Sequence, residues 1–203
     1  MPYQLDYSPS SISGQSLTLT IKLPSDKVRL ALAGLVQVFS GNGKGKTSAA
    51  MGTVLRAVGQ GLRVFIIFFM KGKYPYGEQK ALSHLPNVTM ARFGLLSFVD
   101  PKNVKEEEKK EARKALAAAR EAMLSGEYDL VVLDEVNIAA AWGLVGVTEV
   151  VQLIHDKPEA VELILTGRYA DPELNKLADL VTEMLDIKHP YEKGVLARPG
   201  FEY

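Results

Sequence analysis

The chain reads as an α/β protein: a three-layer domain in which a mostly parallel sheet carries a phosphate-binding loop. Three observations predict this. Continuous apolar runs recur at 35–39, 64–69, 88–93, 130–133, 161–165 and 180–184, without the alternation of a half-exposed strand, as a sheet covered on both faces requires. Segments of helical character at 47–58, 77–84, 104–124, 147–155 and 172–178 separate them, which is the alternation that builds parallel pairing. A glycine-rich turn joins the first strand to the first helix.

Residues 1–34 differ from the rest. Positions 7–15 are rich in Ser and Pro and read as irregular. Leu17, Leu19, Ile21 and Leu23 then alternate with Ser16, Thr18, Thr20 and Lys22, a strand pattern that Pro24 closes. A half-apolar strand needs a covering surface, so this extension is expected to be a lid or a subunit contact, and a homodimer is expected. Residues 35–203 form the main domain.

The turn after the first strand is Ser40-Gly41-Asn42-Gly43-Lys44-Gly45-Lys46-Thr47, with Ser48 opening the helix. Glycines let successive backbone N–H groups curl around phosphate oxygens, and the helix N-terminus adds unpaired donors and a favourable dipole. Lys46 can set its ammonium on a phosphate, and the Thr47 hydroxyl can ligate Mg²⁺. Ser40 stands where the strict pattern has Gly. A strand, a Gly-Lys-Thr turn and a helix in this order indicate a nucleotide site of the P-loop NTPase-like (RecA-like) kind.

Farther along, Leu130-Val131-Val132-Leu133 is an apolar strand ending in Asp134-Glu135. In a parallel sheet such a strand brings its carboxylates to the edge that carries the loop, and neighbouring strands are expected for the two motifs. Successive side chains point to opposite sides, so Asp134 and Glu135 differ in role. One ligates or orients Mg²⁺; the other polarises a water or holds a ribose hydroxyl. Helix capping is the alternative use of such a carboxylate. In the helix expected at 104–124, Ala112, Leu116, Ala119 and Met123 mark one face, and the charge run from Lys105 to Lys114 is a solvated face.

Composition excludes several chemistries. Lys plus Arg and Asp plus Glu each total 24 in 203 residues, so no polyanion such as nucleic acid is expected as partner. There is no cysteine, which removes disulfides, thiol catalysis and cysteine-held metals. The dense apolar stretch at 64–70 is too short to span a bilayer, and the polar first residues lack a signal-peptide core. A cytoplasmic protein away from the membrane is expected.

The loop, continued by Ala49-Ala50-Met51-Gly52 and Arg56-Ala57-Val58-Gly59, resembles that of the ATP:corrinoid adenosyltransferases of the cobalamin-biosynthesis type. The resemblance extends through Phe69-Met70-Lys71-Gly72, Gly77-Glu78 and Val131-Val132-Leu133-Asp134-Glu135. It resumes at Leu165-Thr166-Gly167-Arg168, at the 178–184 block, at Lys188-His189-Pro190 and at Gly200-Phe201-Glu202-Tyr203. It covers residues 35–203 and not the first 34.

The resemblance implies that a reduced corrinoid, as Co(I), attacks the 5′ carbon of ATP and that triphosphate leaves as a unit. ATP and corrinoid are then co-substrates, Mg²⁺ the metal, and an electron-donating reductase or flavoprotein a partner. Cobalt is the nucleophile, so no protein nucleophile is needed. Lys46, Thr47 and Glu135 are the expected catalytic residues, with Thr47, Glu135 and Asp134 toward the metal. Gly41, Asn42, Gly43, Lys44, Gly45, Ser48, Arg56, Lys71 and Arg168 complete the expected nucleotide contacts. Several keep two readings. Lys44 serves the triphosphate or faces solvent; Arg56 reaches triphosphate or makes a structural ion pair. Lys71 touches nucleotide or corrin; Arg168 grips a phosphate or is a surface turn arginine; His189 is functional or an ordinary loop histidine. On the corrin side the family has a Phe and a Trp soon after a Gly. This chain has Leu95 and Leu96 there, leaving Phe93 and Phe98 as candidates, with core packing their alternative. An ATPase or nucleotide kinase of the same fold is the rival, and a nucleotide-dependent binding module the third reading.

Overall fold

The computed structural model describes residues 33–72 and 76–202. The expected 1–34 extension, including the strand at 16–23, lies almost wholly outside the described residues.

Six strands form one sheet: β1 (Val36–Ser40), β2 (Val64–Phe68), β3 (Val88–Arg92), β4 (Leu130–Asp134), β5 (Glu162–Thr166) and β6 (Leu180–Glu183). Their order is β3-β2-β4-β5-β1-β6, and every pairing is parallel. The helices are α1 (Lys46–Gly59), α2 (Gly77–Leu82), α3 (Glu106–Leu124), α4 (Val136–Ala141), α5 (Val147–His155) and α6 (Pro172–Leu177). A 3₁₀ turn, Pro190–Lys193, follows β6. Among the described residues no helix is long and apolar enough to cross a membrane.

The uninterrupted apolar runs are explained by two covered faces. On one, Val131 and Leu133 of β4 pack with Ala112, Ala119 and Met123 of α3 and Leu153 of α5. On the other, Leu130 and Val132 of the same strand meet Ala50, Met51 and Val54 of α1 and Leu82 of α2. Alternate residues of β4 thus enter opposite cores, and all five of its residues are buried. The edge strands β3 and β6 are half-exposed to exposed.

Two expectations are corrected. The loop strand β1 and the acidic strand β4 are not neighbours, because β5 is inserted between them. At ~4.8 Å per strand step their ends stand roughly 10 Å apart, and the end of β5 becomes part of the site. The helix α4, which sequence periodicity did not predict, starts one residue after β4. Glu135 makes that abrupt turn in a left-handed conformation, φ 69°, unusual for a residue with a Cβ. Element ends otherwise shift by one or two residues. For α3 the start moves from 104 to 106, where Glu108 Oε2 accepts from the Lys105 N–H at 2.8 Å and caps the first turn.

Candidate active site

All the loops that follow β1, β2, β4 and β5 meet at the carboxyl edge of the sheet, around a cavity of about 980 Å³. That volume is at the upper end for a small-molecule site.

The loop 40–45 needs its glycines for two reasons. Gly41 (φ 94°) and Gly45 (φ 121°) hold backbone conformations that L side chains rarely adopt. A Cβ on Gly41 would lie 2.4 Å from the Met184 carbonyl oxygen, and one on Gly43 2.5 Å from that of Leu185. The loop is thus pressed against the chain leaving β6, and the Gly43 N–H donates to the Met184 carbonyl at 2.7 Å. The departure at Ser40 has its own cause: its Oγ accepts from the Ala170 N–H at 3.1 Å, tying the loop to the turn after β5.

Lys46, the first residue of α1, is buried and donates to the Gly43 carbonyl at 2.7 Å. Burial pulls its pKa down; the nearby Glu135 works against that, and Arg168 adds to it. Thr47 donates from Oγ1 to Asp134 Oδ1 at 2.9 Å. Thr166, at the end of the inserted β5, donates to the same oxygen at 2.8 Å. Lys71 donates to Asp134 Oδ2 at 2.6 Å. Asp134 is fully buried and has both oxygens engaged. The Lys71 ammonium also lies 4.7 Å from the Tyr76 ring centre and 5.6 Å from that of Phe68. Burial acts to lower its pKa, but the charge and hydrogen bond of Asp134 outweigh it and the net shift is upward.

Glu135 faces the cavity, where Asp134 does not. Its N–H donates to Thr166 Oγ1 at 2.9 Å, which closes a chain from α1 through Asp134 and β5 to α4. Burial, then the Asp134 charge, raise its pKa, while Lys71, Lys46 and Arg168 oppose. Arg168, exposed, lines the cavity from the turn after β5. That turn approaches α4 closely: a Cβ on Gly167 would stand 2.9 Å from the Ile138 nitrogen.

The structure thus gathers Gly43, Lys44, Gly45, Lys46, Thr47 and Ser48 around one cavity, with Lys71, Glu135, Arg168 and His189 also on its wall. Gly41 and Asn42 do not line it; Gly41 serves the turn. Arg56 does not line it either. It is exposed in the last turn of α1, about 15 Å along the helix from Lys46 at ~1.5 Å per residue. Of the corrin-side pair, Phe98 lines the cavity and is 88% exposed. Phe93 instead packs against the core cluster beneath α3, the alternative reading for it. Trp142 was missed. It caps the unpredicted α4 and reaches the cavity, and without that helix nothing in the sequence placed it there.

Could these residues hold Mg²⁺? Among the described residues no group of three His, Cys, Asp or Glu is placed to hold a metal alone. Mg²⁺ typically takes one or two protein oxygens and completes its octahedron with phosphates and water. Thr47 Oγ1 and the Glu135 carboxylate, both on the cavity wall, fit that demand; Asp134, saturated by Thr47, Thr166 and Lys71, fits it less.

A phosphate-loop nucleotide-binding protein is the class that this fold and site define. A family model described as ATP:corrinoid adenosyltransferase BtuR/CobO/CobP matches residues 32–203. The corrinoid adenosyltransferase of Escherichia coli K12 is 35% identical over 170 residues, covering 84% of this chain and 86% of its own. The Pseudomonas aeruginosa enzyme of the same name is 34% identical over 170 residues, 84% of each chain. The corrinoid adenosyltransferase CobA of Salmonella typhimurium is 33% identical over 170 residues, 84% of this chain and 86% of its own. The chain belongs to the ATP:corrinoid adenosyltransferase family.

Proposed function

We propose that the cavity binds ATP along the glycine-rich loop and a reduced corrinoid beside its aromatic residues, and transfers the 5′-deoxyadenosyl group to Co(I). The Co–C bond forms at the 5′ carbon, the C–O bond to the α-phosphate breaks, and triphosphate carries the electron pair away. The observation that carries this reading is the shared lining of one cavity. It puts two lysines and an arginine of the phosphate side, Lys44, Lys46 and Arg168, in one space with the aromatic residues Phe98 and Trp142.

The chain's own groups then divide the work. Negative charge grows on the leaving oxygen, so donors aimed there count most. Lys46 is held 2.7 Å from a loop carbonyl, and a phosphate oxygen is a stronger acceptor for that ammonium than a neutral carbonyl. Asp134 acts as a positioning residue: by accepting the Thr47 proton at 2.9 Å it turns the hydroxyl's lone pairs outward. Thr47 and Glu135 would hold Mg²⁺ there, and the ion would supply charge neutralisation for the leaving group. No residue has to take or give a proton, because a cobalt nucleophile brings its own electron pair. Phe98 and Trp142 offer apolar surface to a corrin ring.

A reductase or flavoprotein delivering electrons to the corrinoid, a homodimer formed through the 1–34 extension, and a cytoplasmic setting complete the proposal. The alternating Leu17–Leu23 pattern supports the dimer. Product analysis tests the whole reading: triphosphate released only with reduced corrinoid supports it, and ADP released without corrinoid supports the ATPase rival.

A further inference from the structure

Lys44, the other lysine of the loop, is exposed and yet has partners. Its Nζ lies 2.7 Å from the Phe201 carbonyl oxygen and 2.7 Å from Glu202 Oε1. The chain has returned from β6 to set a carboxylate on the phosphate loop. This is a built contact. Arg198 clamps the same carboxylate with its backbone N–H at 2.8 Å, its Nε at 3.2 Å and its Nη2 at 3.2 Å. The guanidinium also stands 5.0 Å from the Phe201 ring centre. The Phe201 and Glu202 N–H groups both donate to the Arg198 carbonyl, at 3.2 and 3.0 Å, and Gly200 supplies the left-handed step at φ 79°. Residues 198–202 are thus a self-closed turn that presents one preorganised anion. The hydrogen bonds from Arg198 and Lys44 push the Glu202 carboxyl down to about 2, so it is charged at any working pH.

Gly200, Phe201 and Glu202 line the same cavity as Lys44, Lys46 and Thr47. A fixed negative charge there opposes the entry of a polyanion and holds a lysine that the polyanion could use. The pair is also exchangeable, since solvent reaches 47% of the Lys44 side chain and 21% of that of Glu202. Exposed pairs of this kind are weak, and a triphosphate offers Lys44 several oxygens and more charge than a carboxylate does. We propose that the turn 198–202 is an internal counter-anion, with Glu202 and the triphosphate competing for Lys44. The inference rests on the reading that the loop holds the triphosphate of ATP and extends it to release: return of Glu202 to Lys44 helps the leaving triphosphate depart.

The test uses inorganic tripolyphosphate as probe, titrated calorimetrically into the full chain at low salt without corrinoid. Glu202→Gln should bind it about fivefold tighter than the parent, the scale of an exposed charge contact, with the gain shrinking as salt rises. In a Lys44→Met background the same change should give no gain. Equal or weaker binding by Glu202→Gln overturns the proposal, as does a gain that survives the loss of Lys44. Binding to neither parent nor variant overturns the phosphate-loop reading together with it, whereas equal binding to both leaves that reading standing.

Discussion

Replacing Lys71 by Met tests the polar core beneath the site. Lys71 Nζ is 2.6 Å from Asp134 Oδ2, with side-chain exposures of 10% and 0%. Removing the ammonium leaves a buried carboxylate with the Thr47 and Thr166 hydroxyls on Oδ1 only. Breaking a buried ion pair by deleting one partner costs about 3–5 kcal/mol. The two surviving hydroxyl bonds point to the lower end, about 3 kcal/mol, which in a domain of this size lowers Tm by roughly 6–12 °C. Adding Asp134→Asn should recover at least ~1 kcal/mol, because a neutral amide oxygen still accepts from both threonines and no charge is stranded. Urea denaturation followed by circular dichroism at neutral pH, for both single variants and the double, measures the coupling. A single-variant loss below about 1 kcal/mol, or strict additivity in the double, would refute the claim that this pair holds the site together.

Lys46→Ala should cut kcat by an amount equivalent to about 2–4 kcal/mol of transition-state stabilisation, since a charge-assisted contact to the leaving group disappears; steady-state rates with saturating Mg-ATP and reduced cobalamin check it, and parent-like rates contradict the assigned role. Gly43→Ala should weaken nucleotide binding and lower stability by about 1–3 kcal/mol, as overpacking does, because its Cβ would stand 2.5 Å from the Leu185 carbonyl oxygen; melting curves and ATP titration report both effects. Acid should loosen the carboxyl-terminal turn. The Glu202 pKa is depressed from 4.5 to about 2 in the fold, so its stabilising contribution is complete above 4.5 and is lost as pH falls toward 2. The difference in melting temperature between parent and Glu202→Gln should shrink over that window, and a constant difference would contradict the contact.

What could be read without coordinates was whatever depends on local chain chemistry. Gly41 to Thr47 announced a phosphate loop because turn, lysine and hydroxyl are contiguous, and the apolar run 130–133 announced a strand because both of its faces are apolar. What escaped depends on pairs far apart in the chain. Thr47 and Asp134 meet across 87 positions and Lys44 and Glu202 across 158, and no periodicity encodes such contacts. The order of β1, β5 and β4 was misjudged for the same reason. Helix α4 escaped because it starts from a left-handed Glu135 with no side-chain cap, so the usual start signal is missing; Trp142 went with it. Ser40 looked like a blemish in the motif until its bond to the Ala170 N–H appeared. Phe93 and Phe98 could not be sorted by sequence, since a core aromatic and an exposed one share the same letter.

In the proposed reaction the bond broken lies between the 5′ carbon and its oxygen, while the phosphates lie along the loop. The most direct measurement is adenosyl transfer from an ATP analogue whose β–γ bridging oxygen is replaced by methylene, followed as formation of the cobalt–carbon product under reducing conditions. Transfer is expected at a rate comparable with ATP, with the methylene-bridged triphosphate released whole. Tight binding of the analogue with no transfer would contradict it and return the site to γ-phosphoryl chemistry.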